Sequence, residues 1–114
     1  MAGIREVGPV QVKYASISGT GTTEIVAAVS NKQISVISFL VTGTENGTMI
    51  FKSATDSLTG AMNLGISGAM GDDSISPLVG PWNPDGHFHT AVGEALNITA
   101  SAGTSSGYLT YIEI

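Results

Sequence analysis

Along much of the chain, apolar and polar residues alternate with a period of two. In "ALNITASA", Leu96, Ile98 and Ala100 fall on one side of an extended backbone, and Asn97, Thr99 and Ser101 on the other. This is the pattern of a strand with one face in a core and one in solvent. "QISVISFLVT" is instead apolar on both faces, with Ile34, Val36 and Leu40 on one and Ile37, Phe39 and Val41 on the other. Such a strand is central in its sheet, or has its outer face covered by another subunit. The pattern predicts strands over 10–16, 23–29, 33–42, 48–53, 61–64, 74–79, 87–90, 95–101 and 108–114. Turns are predicted at "SGTGT", "SNKQ", "GTENGT", "GAMGDDS", "GPWNPDG" and "SAGTSSG", whose Gly, Asn, Asp, Ser and Pro residues favour them. Asn46-Gly47 is the strongest hairpin signal, because both residues tolerate positive φ. "TEIVAAVSNKQ" alone competes as a helix, and its β-branched residues favour a strand. The closing "GYLTYIEI" is expected as a paired strand with Glu113 toward solvent. Residues 1–9, with Arg5, Glu6 and the pairing breaker Gly8-Pro9, read as an arm or short edge strand. The fold class implied is all-β: a single antiparallel β-sandwich domain over 1–114, jelly-roll-like, with about eight or nine short strands.

Composition sharpens this picture. With 114 residues the chain can enclose one core. Charged residues are only 11%, so Ser, Thr, Asn and Gly must cover the surface, and a partner is expected to hide some apolar area. The net charge is -5, and the basic residues Arg5, Lys13, Lys32 and Lys52 are each isolated. No basic stripe exists for nucleic acid and no polybasic patch for a membrane surface. Without cysteine, disulfides, zinc–thiolate sites and thiol catalysis are excluded. "MAGIREVG" lacks the apolar region of a secretory signal, and "ISVISFLV" is too short to span a bilayer. A soluble protein made in a cytoplasm is expected. The Asn-x-Ser/Thr matches at Asn46 and Asn97 read as coincidences of a Thr-rich chain.

Candidate chemistry is sparse. Asp85, His87 and His89 would share one face of an extended strand. Two imidazoles are too few for a tight metal site unless an oligomer axis multiplies them. The plainer expectation is a "NPDG" turn entering a strand, with no metal and no cofactor. Asp72-Asp73 lacks the spacing of a calcium loop. No serine sits in a nucleophile elbow. Glu24, Glu45, Glu94 and Glu113 lie in or beside turns or solvent faces rather than as a pair across a cleft. Gly19-Thr20-Gly21 lacks the lysine and helix of a phosphate loop. The chain therefore reads as a non-enzyme. Trp82, between two prolines in "GPWNP", reads equally as an interface anchor or as a lid over the end of the sandwich. Tyr14, Tyr108 and Tyr111 are candidates to line a subunit contact.

The stretch "YASISGTGTTEIVAAVSNKQISVISFLVTGTENGTMIFKS", followed by "LTGAMNLG", "SPLVGPW", "HFHTAVGEALNITASA" and "GYLTYIEI", resembles small β-sandwich virion proteins of tailed bacteriophages, of the capsid decoration (cement) type. The resemblance runs from Tyr14 to Ile114. Its strongest parts are the run from Thr90 to Ile98 and the closing strand. It implies a homotrimer on the outer capsid surface of the virion, bound where major capsid protein subunits meet and holding the expanded head against internal pressure. Arg5, Val7 and Pro9 of the arm, with Trp82, Tyr108 and Tyr111, are then the expected interface residues. Receptor-binding tips of tail fibres use similar sandwiches, which makes a glycan-binding tip the alternative. Some trimeric phage tips also bind a metal through His-x-His pairs.

Overall fold

A computed structural model describes residues 11–67 and 74–114. The arm residues Arg5, Val7 and Pro9, the Asp72-Asp73 pair and most of the "GAMGDDS" turn lie outside the described residues. Among the described residues nine strands follow one another: β1 (Lys13–Val26), β2 (Ile34–Gly43), β3 (Gly47–Ser53), β4 (Asp56–Ser57), β5 (Met62–Ser67), β6 (Ser74–Ser76), β7 (Leu78–Gly80), β8 (Phe88–His89) and β9 (Leu96–Glu113). The fold is all-β, with every strand pairing antiparallel and no helix among the described residues. The order is β6-β5-β3-β9-β2-β7, with β1 also on β9, β4 on β3 and β8 on β2.

The expected count of strands hides two corrections. "SGTGT" and "SAGTSSG" are not turns between strands; they lie inside β1 and β9, which pair with each other from Lys13↔Tyr111 to Val26↔Leu96. Between Thr20↔Thr104 and Thr22↔Thr99 the register shifts, so only Gly21 in β1 stands against 100–103 in β9. Gly21 and Gly103 have φ of 62° and 68° there, which glycine adopts at little cost. The second correction concerns Asn46-Gly47. β2 and β3 are not paired as a hairpin. They run one after the other along the same edge of β9, β2 from Ile34↔Glu113 to Gly43↔Ser105 and β3 from Met49↔Ala100 to Ser53↔Leu96. Gly47 suits a close approach, since a Cβ there would lie 2.8 Å from Ser101 Oγ.

These three long paths bend together. Phe51 sits opposite Ile98 and Phe39 opposite Leu109. On a straight strand, positions 98 and 109 would be about 36 Å apart. The rings of Phe39 and Phe51 are nonetheless 5.1 Å apart. The sheet is therefore folded about the bulge at Gly21 and 100–103, as strands do when they pass from one packed layer to the other. One leaf holds the first part of β1, the end of β9, β2, β7 and β8. The other holds the end of β1, the start of β9, β3, β4, β5 and β6. The core lies between them: Ile17, Val26, Ile34, Val36, Phe39, Val41, Met49, Phe51, Leu96, Ile98 and Leu109.

β2 shows why its sequence looked apolar on both faces. A register shift lies between Val36↔Tyr111 and Ser38↔Thr110, so Ile37 is an extra residue. Ile34, Val36, Phe39 and Val41 all reach the core, while Ile37 is buried outside that cluster. Leu40 is left on the outer face, half-buried. "ALNITASA" keeps its predicted alternation, with Leu96, Ile98 and Ala100 buried. The end of the chain is paired as expected: Ile114 and Gln33 exchange backbone hydrogen bonds of 2.9 and 2.8 Å. Glu113 is more covered than expected and lies 3.2 Å from Lys13 Nζ.

The run from Thr90 to Ile98 clamps the leaves. Thr90 Oγ1 accepts the Ile34 backbone N–H at 2.9 Å, and Gln33 Nε2 donates to the Thr90 carbonyl at 3.0 Å. Ser53, 2% exposed, donates to Glu94 Oε1 at 2.5 Å and accepts from the Ala91 N–H at 2.9 Å. Ser53→Ala would strand both partners and is expected to cost about 1–3 kcal/mol, measured as a lowered urea midpoint at unchanged m-value.

Candidate interaction face

The outer face of the first leaf is built by register. Ser16 pairs with Tyr108, Tyr108 with Leu40, and Leu40 with Val79. Paired residues share a face, so these four form one row across β1, β9, β2 and β7. Val79 is 60% exposed and Tyr108 38%. Tyr14, 65% exposed, stacks on Tyr108 with ring centroids 5.8 Å apart and planes at 19°. Hydroxyl rows border this stripe. On one side Ser38 Oγ and Thr110 Oγ1 are 2.5 Å apart; on the other Thr42 Oγ1 donates to the Ser106 carbonyl at 3.3 Å. None of these residues is charged. The result is an aromatic and aliphatic stripe in a Ser/Thr frame, suited to dry contact with a complementary surface.

Other candidates separate from it. Tyr111 lies on the opposite side of β9, half-buried and packed on the core, so it does not join Tyr14 and Tyr108 in lining one contact. Trp82 is 59% exposed and is not a lid. Its loop is held by the Asn83 N–H donating to the Ile37 carbonyl at 2.8 Å. Leu40 and Val79 had no signal as surface residues, because register placed them.

Asp85, His87 and His89 do not form one strand face. "NPDG" is the turn expected: the Gly86 N–H reaches the Asn83 carbonyl at 2.9 Å, the Asp85 N–H reaches Asn83 Oδ1 at 3.0 Å, and Gly86 has φ 86°. The strand begins only at Phe88. His87 Nε2 is 2.7 Å from the Pro81 carbonyl; a carbonyl only accepts, so this nitrogen carries the hydrogen. The His87 ring also stands edge-on to Phe39 at 5.5 Å. His89 is exposed beside Ser35. Among the described residues no three His, Asp or Glu side chains converge as metal ligands. Asn97 donates from Nδ2 to the Ala54 carbonyl at 3.0 Å, where Ala54 has φ 52°, so it anchors a turn. Among the described residues no helix is long and apolar enough to cross a membrane.

No family model, curated protein or solved structure matches the chain.

Proposed function

We propose that this protein is a non-enzymatic virion structural protein of a tailed phage, of the capsid decoration type, which docks on the outer capsid surface through the Tyr14–Tyr108–Leu40–Val79 face. The observation that carries the reading is this uncharged stripe, exposed on a leaf whose other face is closed on the core. The resemblance supplies the setting, with the major capsid protein as the partner. Each copy binds modestly and many copies act together, so the shell gains resistance by multivalency. The face carries no charge to be screened, and attachment should be insensitive to salt.

The test uses stripped heads and re-added protein. Heads without it are expected to burst at a lower temperature, and re-addition to restore them in low and high salt alike. Tyr108→Ser combined with Val79→Ser should abolish rescue while circular dichroism stays unchanged. Stripped heads as heat-resistant as decorated ones, with the free protein binding host cells instead, would move the reading to a receptor-binding fibre tip, for which the exposed Trp82 is the natural sugar platform.

A further inference from the structure

The first leaf has two edges, and they are treated differently. One is the path from β7 to β8 along β2. It carries Pro77, Pro81 and Pro84, three of the four prolines in the chain, and it is interrupted by the 83–86 turn. Proline offers no N–H, so this edge cannot accept a further strand along its length. The other edge is β1. Among the described residues β1 pairs only with β9, and its outer N–H and C=O groups meet no other strand among them. From Tyr14 to Thr23 it has no proline and no charged residue. A long edge without a lysine, a proline or an inward charge is a template for another strand.

We propose that β1 is a self-pairing edge: two copies of the chain join through residues 14–20 of β1, antiparallel about a two-fold axis normal to the sheet. A bare backbone edge is matched only by another extended backbone. A second copy is the occupant that fits, because residues 14–20 are self-complementary and hold none of the nine acids that give each copy its net charge of -5. Two identical edges also satisfy each other at once and close the assembly. The bulge after Thr20 limits the straight segment. Cross-strand neighbours must share a face, which centres the pairing on Ile17. Ser16 then lies opposite Ser18 of the second copy, Tyr14 opposite Thr20, and Ala15 opposite Gly19. The residues beside the axis are small, and Ser16 and Ser18 are exposed, so nothing obstructs the approach. The inference does not rest on the virion reading, and its two-fold symmetry differs from the trimer that the resemblance implies.

Light scattering on the free full-length chain tests it. The expected mass is twice the 11.6 kDa of one chain. Ser16→Lys with Ser18→Lys puts like charges opposite each other and should return the mass to one chain with an unchanged circular dichroism spectrum. Because the chain has no cysteine, engineered ones report register cleanly. A mixture of Ser16→Cys and Ser18→Cys proteins should form a disulfide-linked dimer on mild oxidation, and Thr20→Cys alone should not. Val79→Ser, at the far side of the leaf, should leave the dimer intact. A monomeric or trimeric wild type, a dimer lost in Val79→Ser, or crosslinking strongest at position 20 would each overturn the proposal.

Discussion

Replacing Gly107 with valine is expected to remove most of the protein's stability. Gly107 lies in β9, paired with Ile17 of β1 on one side and Val41 of β2 on the other. Its φ is 147°, a backbone state essentially closed to residues with a side chain. A Cβ at this position would run into the Leu40 carbonyl of the neighbouring strand. That carbonyl belongs to backbone, and β2 is held on both edges, so neither side can move away cheaply. The strain alone costs about 1–3 kcal/mol, and the clash adds to it. Against a typical total of about 5–15 kcal/mol, the variant should melt at least roughly 10 °C lower or fail to fold. Gly60→Ala is the control: its Cβ would meet nothing within 4 Å, and a shift within about 0.5 kcal/mol is expected. Thermal melts of both variants decide the matter. A Gly107→Val protein that melts with the wild type would show that β9 does not cross β2 as described.

Phe51→Ala should be nearly as damaging, for a different reason. Phe51 is fully buried, with its ring centroid 5.1 Å from Phe39 and 4.7 Å from Phe88. It stands on β3 of one leaf, while both neighbours stand on the other. Truncation removes the transfer free energy of a ring and opens a cavity at the seam, about 3–5 kcal/mol together. Phe51→Leu keeps most of the volume and should cost about 1.5 kcal/mol or less. Urea titration of the three proteins gives the comparison. A loss below about 1 kcal/mol for the alanine variant would mean that the seam is not where the leaves are held.

Local sequence was a good guide wherever a decision depended on neighbours along the chain. The alternation in "ALNITASA" identified which residues enter the core, because the pleat alone sorts side chains to two faces. The "SNKQ" turn is present, with Asn31 at φ 64°, and so is the "NPDG" turn with its histidines entering a strand. Two elements were not legible. β4 is a two-residue strand paired back on β3 through a turn in which Ala54 takes positive φ without a glycine or asparagine to announce it. The candidate face is half visible in the sequence: Tyr14 and Tyr108 stand out as aromatic residues, while nothing along the chain separates Tyr111, packed on the core, from them or marks Leu40 and Val79, which register aligns.

By itself, then, the sequence determined an all-β chain, most of its strands, and a surface poor in charge. Those follow from local propensity and from composition, which need no knowledge of what lies across the sheet. Only the tertiary structure decided that "SGTGT" and "SAGTSSG" continue two strands through a fold line rather than end four. Gly, Ser and Thr serve a bulge as well as a turn, and burial of Phe39 against Phe51 selects the bulge. It also decided that Asn46-Gly47 joins two strands end to end, because β9 offers both a longer partner than they offer each other. Register between β1, β2 and β9 is set by apolar area summed over positions up to a hundred residues apart, such as Lys13↔Tyr111. A slip of one residue would turn every core side chain outward. The same register, invisible along the chain, aligns Ser16, Tyr108, Leu40 and Val79 into one exposed row.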